Sequence, residues 1–294
     1  VLLKRRNGVV VVAGSRAAGL DTLRLFLEKR LESAFFHPLE ALELSKAKSD
    51  FASLVSKEMP KGLHIIFFDC ETTPWTRQWL SWFKEELKKP KVNGGRLFRV
   101  IFSANPSTLW GVMSEGERVV EECDDLLTLT KWHERTLKHW LQEREHIPSA
   151  LLEKEGVEKI RQFTGGWPAM LRLFVKGASA RPRSAQDFLR EIISAAESRD
   201  FVETALRDDF QLLQNNERKV VIESIKKLAP CSREDLKNLY EDEPPFLPVA
   251  LGTLRWAETL QYVRADEDGC LHIDPVVARL LDLAEHDVKE GSEE

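Results

Sequence analysis

Four valines, a turn between two glycines and the start of a helix follow one another in VVVVAGSRAAGLDTLRLF (residues 9–26). Gly14 and Gly19 have the spacing of a loop whose backbone N–H groups can surround a phosphate, while the next helix adds its partial positive charge. Such a loop needs a lysine for the outer phosphates and a hydroxyl for magnesium. Leu20 and Asp21 occupy those two positions. The stretch indicates either a coincidence of spacing or a phosphate site that has lost its chemistry.

The replaced residues change the expected interaction with a nucleotide. Leu20 offers no charge, and Asp21 places a carboxylate where phosphate oxygens would lie. A lost charge-assisted hydrogen bond costs about 1.5–3 kcal/mol, and an added like charge increases that cost. Thr22 follows one position later and could donate a hydroxyl, although out of register. We therefore expect the loop to have lost tight triphosphate binding.

Polar residues also end two later apolar stretches. IIFFD places Asp69 where a magnesium-linked aspartate belongs in ATPases, and Cys70 and Glu71 follow it. Glu71 would point differently from a residue directly after Asp69, because side chains alternate along an extended chain. Asn105 ends RVIFSAN and could contact a γ-phosphate or its water. The alternative interpretations are that Asp69 caps the following turn and that Asn105 lies in a loop before Pro106.

A sheet is needed to bring these residues together. The valine run at 8–13, the stretch GLHIIFFD and the stretch RVIFSAN at 99–105 are predicted strands, with helical patterns between them. This alternation predicts an α/β fold with a mostly parallel sheet and helices on both faces. Trp75, Trp79 and Trp82 have the spacing of one helix face, and we expect that face to pack against the core.

The pattern becomes helical after residue 130. We predict an α/β domain at 1–130, an all-α domain at 131–215 and a small winged-helix domain at 216–294. The winged helix is predicted from three helical stretches followed by the short strands YVRAD and CLHID around a DEDG turn. Its closing helix leads into an acidic tail, DVKEGSEE.

Charge is distributed unevenly between these segments. Residues 1–215 carry 33 Lys and Arg against 30 Asp and Glu, whereas residues 216–294 carry 10 against 18. In the presumed recognition helix, LPVALGTLRWAETL, the charged residues are Arg255 and Glu258, and the turn ADEDG is acidic. DNA binding rests on lysines and arginines that neutralise phosphates. We therefore expect the winged helix to contact protein rather than nucleic acid.

Composition and residue spacing also argue against a membrane protein, a disulfide framework and a metal site. No apolar run reaches the roughly 18 residues that cross a bilayer, so no membrane partner is expected. The four cysteines are widely spaced without a CxxC pair, which predicts free thiols in a reducing, intracellular compartment, the cytoplasm or the nucleus. His133, His139 and His146 are too far apart in sequence for a compact ligand set, so no metal site is predicted.

In this order and spacing, residues 8–215 resemble the AAA+/STAND group of P-loop ATPases. AGSRAAGLDTL resembles the Walker A loop, HIIFFDCE the Walker B strand and RVIFSAN the sensor strand. LTLTKWHERTLKHWL resembles the start of the helical lid, and GGWP the lid's GxP-like motif. The resemblance implies a P-loop parallel sheet, an all-α lid and a winged helix, with Pro168 and the neighbouring Trp167 near the adenine.

The resemblance also implies which residues would contact a nucleotide. The expected set is Gly14, Ser15, Arg16, Gly19, Leu20, Asp21, Thr22, Asp69, Trp167 and Pro168. Because the Walker A lysine, its Ser/Thr and the Walker B glutamate are replaced, no catalytic residue is expected. Asp69, Glu71 and Asn105 would be catalytic only in an active enzyme. ADP or ATP would bind weakly, and magnesium only together with a nucleotide.

These implications favour a regulatory or scaffolding module within a larger signalling or assembly protein. Such a module would act through protein–protein contacts, in homo- or hetero-oligomers. The alternative is a divergent ATPase of the origin-recognition or transposition type that loads or remodels nucleic acid, an interpretation that the basic loop 84–99 supports. A third hypothesis is an inactive subunit of a mixed ring that lends Arg16, Arg99 or Arg118 to a neighbour's nucleotide.

Overall fold

The computed structural model describes residues 7–30, 34–89, 96–113, 122–143, 147–177, 184–243 and 245–290. The described chain forms two compact units. The first runs up to Gly14 and resumes at Leu20–Leu129, and the second consists of Ser15–Gly19 and the chain from Thr130 onward. The short loop after the valine run is therefore part of the second unit. The finer division into domains at 1–130, 131–215 and 216–294 stays a prediction.

Strands and helices alternate along the described part of the first unit. They are β1 (Gly8–Ala13), α1 (Leu23–Arg30), β2 (Ala34–Leu39), α2 (Leu44–Ser56), β3 (Gly62–Phe68), α3 (Arg77–Glu86), β4 (Arg96–Ala104), α4 (Pro106–Met113) and β5 (Asp125–Thr128). The strands form one parallel sheet in the order β2-β3-β4-β1-β5. This confirms the predicted α/β fold with a parallel sheet.

β1 has neighbours on both sides, which explains its continuous run of valines. Val10 pairs with Ile101 of β4 and with Asp125 of β5. Val9 to Val12 are at most 2% exposed. β-Branched residues suit a strand that is covered on both faces, as in parallel sheets.

Helices cover both faces of the sheet, as predicted. On one face, Leu23 and Leu27 of α1 pack in a cluster with Val10 and Ile65. On the other face, Phe51 of α2 packs edge-on against Phe83 of α3, with 5.4 Å between ring centroids. Phe83 in turn packs against Phe102 of β4 and Phe68 of β3.

Three details of the first unit differ from the sequence interpretation. The strands β2 and β5 were not predicted. The helix predicted to contain three tryptophans begins at Arg77, so Trp75 precedes it. Trp75 is nevertheless 3% exposed, and its buried indole Nε1 donates to the Ser103 carbonyl of β4 over 2.7 Å. Trp79 is also 3% exposed and Trp82 is half-buried.

The second unit is helical and contains one small hairpin. Its described elements are α5 (Glu134–Gln142), α6 (Lys154–Thr164), α7 (Pro168–Gly177), α8 (Ala185–Ala196), α9 (Arg199–Thr204), a π-helix (Ala205–Asp209), α10 (Asn216–Leu228), α11 (Arg233–Leu239), α12 (Leu247–Thr259), β6 (Val263–Ala265), β7 (Leu271–Ile273) and α13 (Pro275–Glu290). β6 and β7 pair antiparallel around the acidic turn, as the sequence predicts. None of the described helices is both long and apolar enough to cross a membrane.

Candidate functional site

The carboxyl ends of the parallel strands form one edge of the sheet, and at this edge a backbone hydrogen bond joins the ends of β1 and β4. The Gly14 N–H donates to the Ala104 carbonyl over 3.0 Å. A Cβ on Gly14 would lie 2.9 Å from the Leu129 Cβ, so the close approach of Leu129, which follows β5, favours glycine there. The carboxyl ends of strands are where open α/β sheets bind ligands.

Asp69 lies at this edge, directly after β3, and makes two kinds of contact. Its Oδ1 accepts from the Ser103 hydroxyl at 3.2 Å and from the Glu71 N–H at 3.1 Å. The Asp69 carbonyl also accepts from the Thr73 N–H over 2.8 Å. The carboxylate therefore caps the following turn, the alternative that the sequence left open.

Ser103 on β4 is the contact that sequence interpretation missed. Its hydroxyl accepts from the Cys70 N–H over 2.8 Å while it donates to Asp69. The side chain is 1% exposed. The available signal was a polar residue inside the apolar stretch RVIFSAN, one strand away from Asp69.

Cys70, Glu71 and Asn105 follow the carboxyl ends of β3 and β4. Burial is the largest effect on the Cys70 thiol and raises its pKa, so the thiol stays protonated and is a poor nucleophile. Glu71 is exposed. The Asn105 Oδ1 accepts from the Thr108 N–H over 2.8 Å, at the start of α4. This oxygen of Asn105 therefore caps the first turn of α4.

The loop from Ser15 to Gly19 folds as a tight turn within the second unit. Arg16–Ala18 form a 3₁₀ turn in which the Ala18 N–H donates to the Ser15 carbonyl and hydroxyl at 3.0 and 3.3 Å. The Gly19 N–H donates to the Arg16 carbonyl over 2.9 Å, and Gly19 has a left-handed φ of 89°. Two of the loop's N–H groups are therefore already engaged.

Buried contacts fix this loop. Ser15 is 1% exposed and Ala17 is fully buried, and the turn contacts α7 and the π-helix. The Ser15 hydroxyl makes a hydrogen bond with the side chain of Tyr262, whose hydroxyl donates to the Phe210 carbonyl over 2.8 Å. Complete burial raises the pKa of Tyr262 far above its ordinary value. Ser15 thus belongs to a buried polar network.

Charged residues of both signs surround the loop. Arg16 is exposed and is near enough to Asp208 of the π-helix to act on it electrostatically. The hydrogen bond from Arg207, with a smaller effect of Arg16, holds the pKa of Asp208 below its usual value. Arg172 of α7 forms an ion pair with Asp209, with 2.6 Å between Nη2 and Oδ1. Sequence interpretation did not foresee the Arg172–Asp209 pair.

The three residues after the loop return to the first unit. Leu20 is 8% exposed and packs in the apolar cluster with Val12 and Phe67. Asp21 and Thr22 are exposed and lie in a 3₁₀ turn that leads into α1. The side chain at the lysine position therefore points into the apolar core of the sheet.

Trp167 and Pro168 lie in the second unit. Trp167 is fully buried, and its indole Nε1 donates to the Asp274 Oδ1 over 3.1 Å. Its ring packs against those of Phe210 and Tyr262, with centroid distances of 5.1 and 6.0 Å. Pro168 is half-buried and begins α7. A role of these two residues at an adenine stays a prediction.

The predicted site residues are divided between the two units. Gly14, Asp69 and Asn105 lie at the same edge of the first unit's sheet, whereas Ser15–Gly19 and the pair Trp167–Pro168 belong to the second unit. Within the described ranges, no three His, Cys, Asp or Glu side chains are grouped to hold a metal ion.

The three arginines of the mixed-ring hypothesis differ in whether the structure describes them and in how exposed they are. Arg99 is fully buried and pairs with Asp125, with 3.2 Å between Nη2 and Oδ2. It therefore cannot reach a neighbouring subunit's nucleotide, which corrects that part of the hypothesis. Arg118 lies outside the described residues, as do residues 90–95 of the basic loop. Arg16 remains exposed.

No protein-family model matches the sequence, and no curated protein matches it either. Among solved structures, the chain is similar to the Aeropyrum pernix ORC2 protein in ADPNP–ADP complexes, at 13% identity over 98% of this chain and 89% of that one, with a TM-score of 0.48. It is also similar to Cdc6p from Pyrobaculum aerophilum, at 12% identity, 97% and 90% coverage and a TM-score of 0.39. A RuvB mutant from Thermotoga maritima matches at 13% identity, 93% and 87% coverage and a TM-score of 0.34. At these values the likeness concerns the fold alone.

Proposed function

We propose that this chain is a regulatory or scaffolding module of AAA+/STAND-like architecture, with a degenerate nucleotide site, that acts through protein contacts in a larger signalling or assembly protein. The observation that carries the proposal is the loop after β1, which is folded as a buried turn inside the second unit. A loop packed in this way has a structural role within the second unit and does not need to hold a triphosphate.

The hydrogen-bonding groups of the loop support the proposal. The N–H groups of Ala18 and Gly19 are used within the 3₁₀ turn, so they are not offered to a phosphate in this conformation. The position expected for lysine holds Leu20, packed in an apolar cluster. The residues as arranged therefore do not fit a magnesium-bound triphosphate, whose charge needs cationic and N–H partners.

Charge supports the same conclusion. Asp21, at the position where such loops carry a hydroxyl, is exposed. Its carboxylate would repel a phosphate bound there. Under this proposal ADP or ATP binds weakly, and magnesium enters only with a nucleotide.

A divergent ATPase that acts on nucleic acid, of the origin-recognition type, is the rival proposal, and the similar solved structures carry names of that type. The electrostatics of the predicted winged helix weigh against it. Asp266, Glu267 and Asp268 are exposed on the turn between β6 and β7, and Arg233 is paired with Glu258 of α12 at 2.6 Å. A surface of this charge repels a phosphate backbone.

ATP hydrolysis distinguishes the two proposals. We expect purified protein with magnesium to show no turnover above that of an Asp69→Ala variant, because lysine and the Walker B glutamate are replaced. Phosphate release is measured with and without duplex DNA at low salt. Turnover that disappears in Asp69→Ala would contradict the proposal, and stimulation of that turnover by DNA would support the nucleic-acid ATPase instead.

A further inference from the structure

Two histidines on the neighbouring strands β2 and β3 share a hydrogen bond. The His37 Nε2 and the His64 Nδ1 lie 3.1 Å apart. The His64 Nε2 lies 2.9 Å from the Pro60 carbonyl oxygen, which can only accept, so this nitrogen carries a proton. In neutral His64 the Nδ1 is then the acceptor, and the His37 Nε2 donates to it. A side-chain bond therefore joins β2 to β3 in addition to their backbone pairing.

The surroundings of this histidine pair are apolar. His64 is fully buried, and its ring is stacked on those of Phe35 and Phe98, with centroid distances of 4.9 and 5.3 Å. His37 is half-buried. Phe98 also packs against Phe51, so α2 covers this face of the sheet. A charge on either imidazole is therefore held partly or wholly away from water, which is unfavourable without a compensating partner.

Charged side chains on the adjacent elements have other partners or are exposed. Those with partners are Lys46 with Asp50 on α2, Lys48 over the Trp82 ring, Arg96 of β4 with the Val55 and Lys57 carbonyls, and Glu40 after β2 with Arg24. The exposed ones are Lys57, Glu58 and Lys61, in the turn before β3. Burial, with a smaller effect of His64, lowers the pKa of His37 below its ordinary value. Among the described residues, no carboxylate offsets this effect.

The pair holds fewer protons than two separate histidines do. A first added proton, on the His37 Nδ1, leaves the hydrogen bond intact but charges a half-buried ring. A second added proton would put N–H groups on both facing nitrogens, and the bond would be lost. In an opened chain each histidine takes up a proton independently, with a pKa of about 6.5. The closed strands therefore bind fewer protons, so their stabilisation is complete above about pH 6.5 and is lost as the pH falls.

We propose that the His37–His64 pair is a pH-sensitive switch that holds the edge strand β2 on β3 at neutral pH and opens it on mild acidification. β2 is suited to this role because it lies at the end of the strand order β2-β3-β4-β1-β5. Local opening of a terminal strand leaves the pairing of β1 with β4 in place. The switch goes beyond the proposed protein-binding role and does not depend on the nucleotide loop.

Hydrogen exchange of β2, followed by mass spectrometry at about pH 7.5 and about pH 5.5, tests the proposal. A histidine with an ordinary pKa is about 90% protonated at the lower pH, so each excluded proton favours the open form up to about tenfold. After correction for the intrinsic exchange rate, we expect the opening of residues 34–39 to increase about three- to tenfold. β1, in the interior of the same sheet, is the internal reference and should change less than about twofold.

His37→Gln is the variant that isolates the pair. The glutamine amide nitrogen reaches about as far as the imidazole Nε2 and donates to His64 without titrating, and the amide can rotate to accept from a protonated His64. We expect opening of β2 at neutral pH to stay within about twofold of the parent, and the acid-induced increase to fall below about twofold. His133→Gln replaces an exposed histidine of the second unit and is the matched control, with the full increase retained.

Three results overturn the proposal. They are an unchanged opening of β2 at the lower pH, an equal increase in His37→Gln and the parent, and an increase in β1 as large as that in β2. If His37→Gln does not fold, imidazole ¹⁵N NMR of the parent decides instead. We expect His64 to keep its proton on Nε2 at neutral pH and the two rings to titrate as a coupled pair. Independent titration of the two rings contradicts the switch.

Discussion

Replacement of Asp274 by alanine is expected to lower the free energy of unfolding by about 3 kcal/mol, since a buried ion pair loses one partner. The carboxylate is 1% exposed and lies 2.6 Å from the Lys131 ammonium. It also accepts from the Trp167 indole and from the N–H groups of Val276 and Val277 at the start of α13. Alanine leaves the Trp167 indole and the two N–H groups of α13 without this buried acceptor, and it leaves the 25% exposed Lys131 side chain without its carboxylate.

Two variants act as controls for Asp274→Ala. Asp274→Asn keeps an oxygen for Trp167 and for the cap of α13 but loses the charge, so the expected loss is about 1–2 kcal/mol. Asp268→Ala removes an exposed carboxylate and should change stability by less than about 0.5 kcal/mol. Urea unfolding, followed by tryptophan fluorescence, measures all three. A loss for Asp274→Ala no larger than that for Asp268→Ala would show that the contacts do not stabilise the second unit.

Replacement of Leu20 by lysine has the second large expected effect. Leu20 is 8% exposed in the cluster that includes Val10, Leu23 and Phe67. A lysine there loses the apolar contacts and must bury its ammonium or extend it to the surface. We expect the free energy of unfolding to fall by about 3 kcal/mol, in the range of large core substitutions.

The matched controls make this substitution informative about function. Leu20→Met preserves volume and should cost less than about 1.5 kcal/mol. Asp21→Thr alters an exposed side chain and should be nearly neutral. If Leu20→Lys with Asp21→Thr kept the parent's stability and gained magnesium-dependent ATP binding, the side chain at position 20 would face a phosphate site, contrary to the packing described here.

The central strands were predictable because their signals are local. Val9–Val12 and the stretch IIFF are apolar runs covered on both faces, and the structure places them in β1 and β3. The edge strands β2 and β5 were missed because their residues are only partly buried, and β2 contains Pro38. An edge strand accepts proline and polar residues, so its pattern is indistinct.

The position of the loop could not be predicted from sequence. GxxxxG spacing describes the local turn between Gly14 and Gly19, but the contacts of Ser15 involve Tyr262, almost 250 residues later in the chain. The same holds for the bond between Asp69 and Ser103, which depends on the register of two neighbouring strands. Local patterns predicted which residues end the strands, and long-range packing decided their partners.

Equilibrium binding of ATP and ADP, measured by calorimetry with and without magnesium, tests most directly whether the loop after β1 has ceased to act as a phosphate site. With the loop's Ala18 and Gly19 N–H groups engaged and Leu20 in the core, dissociation constants no tighter than about 0.1 mM are predicted, corresponding to at most about 5.5 kcal/mol, without an effect of magnesium. Micromolar or tighter ATP binding that magnesium strengthens would contradict the account.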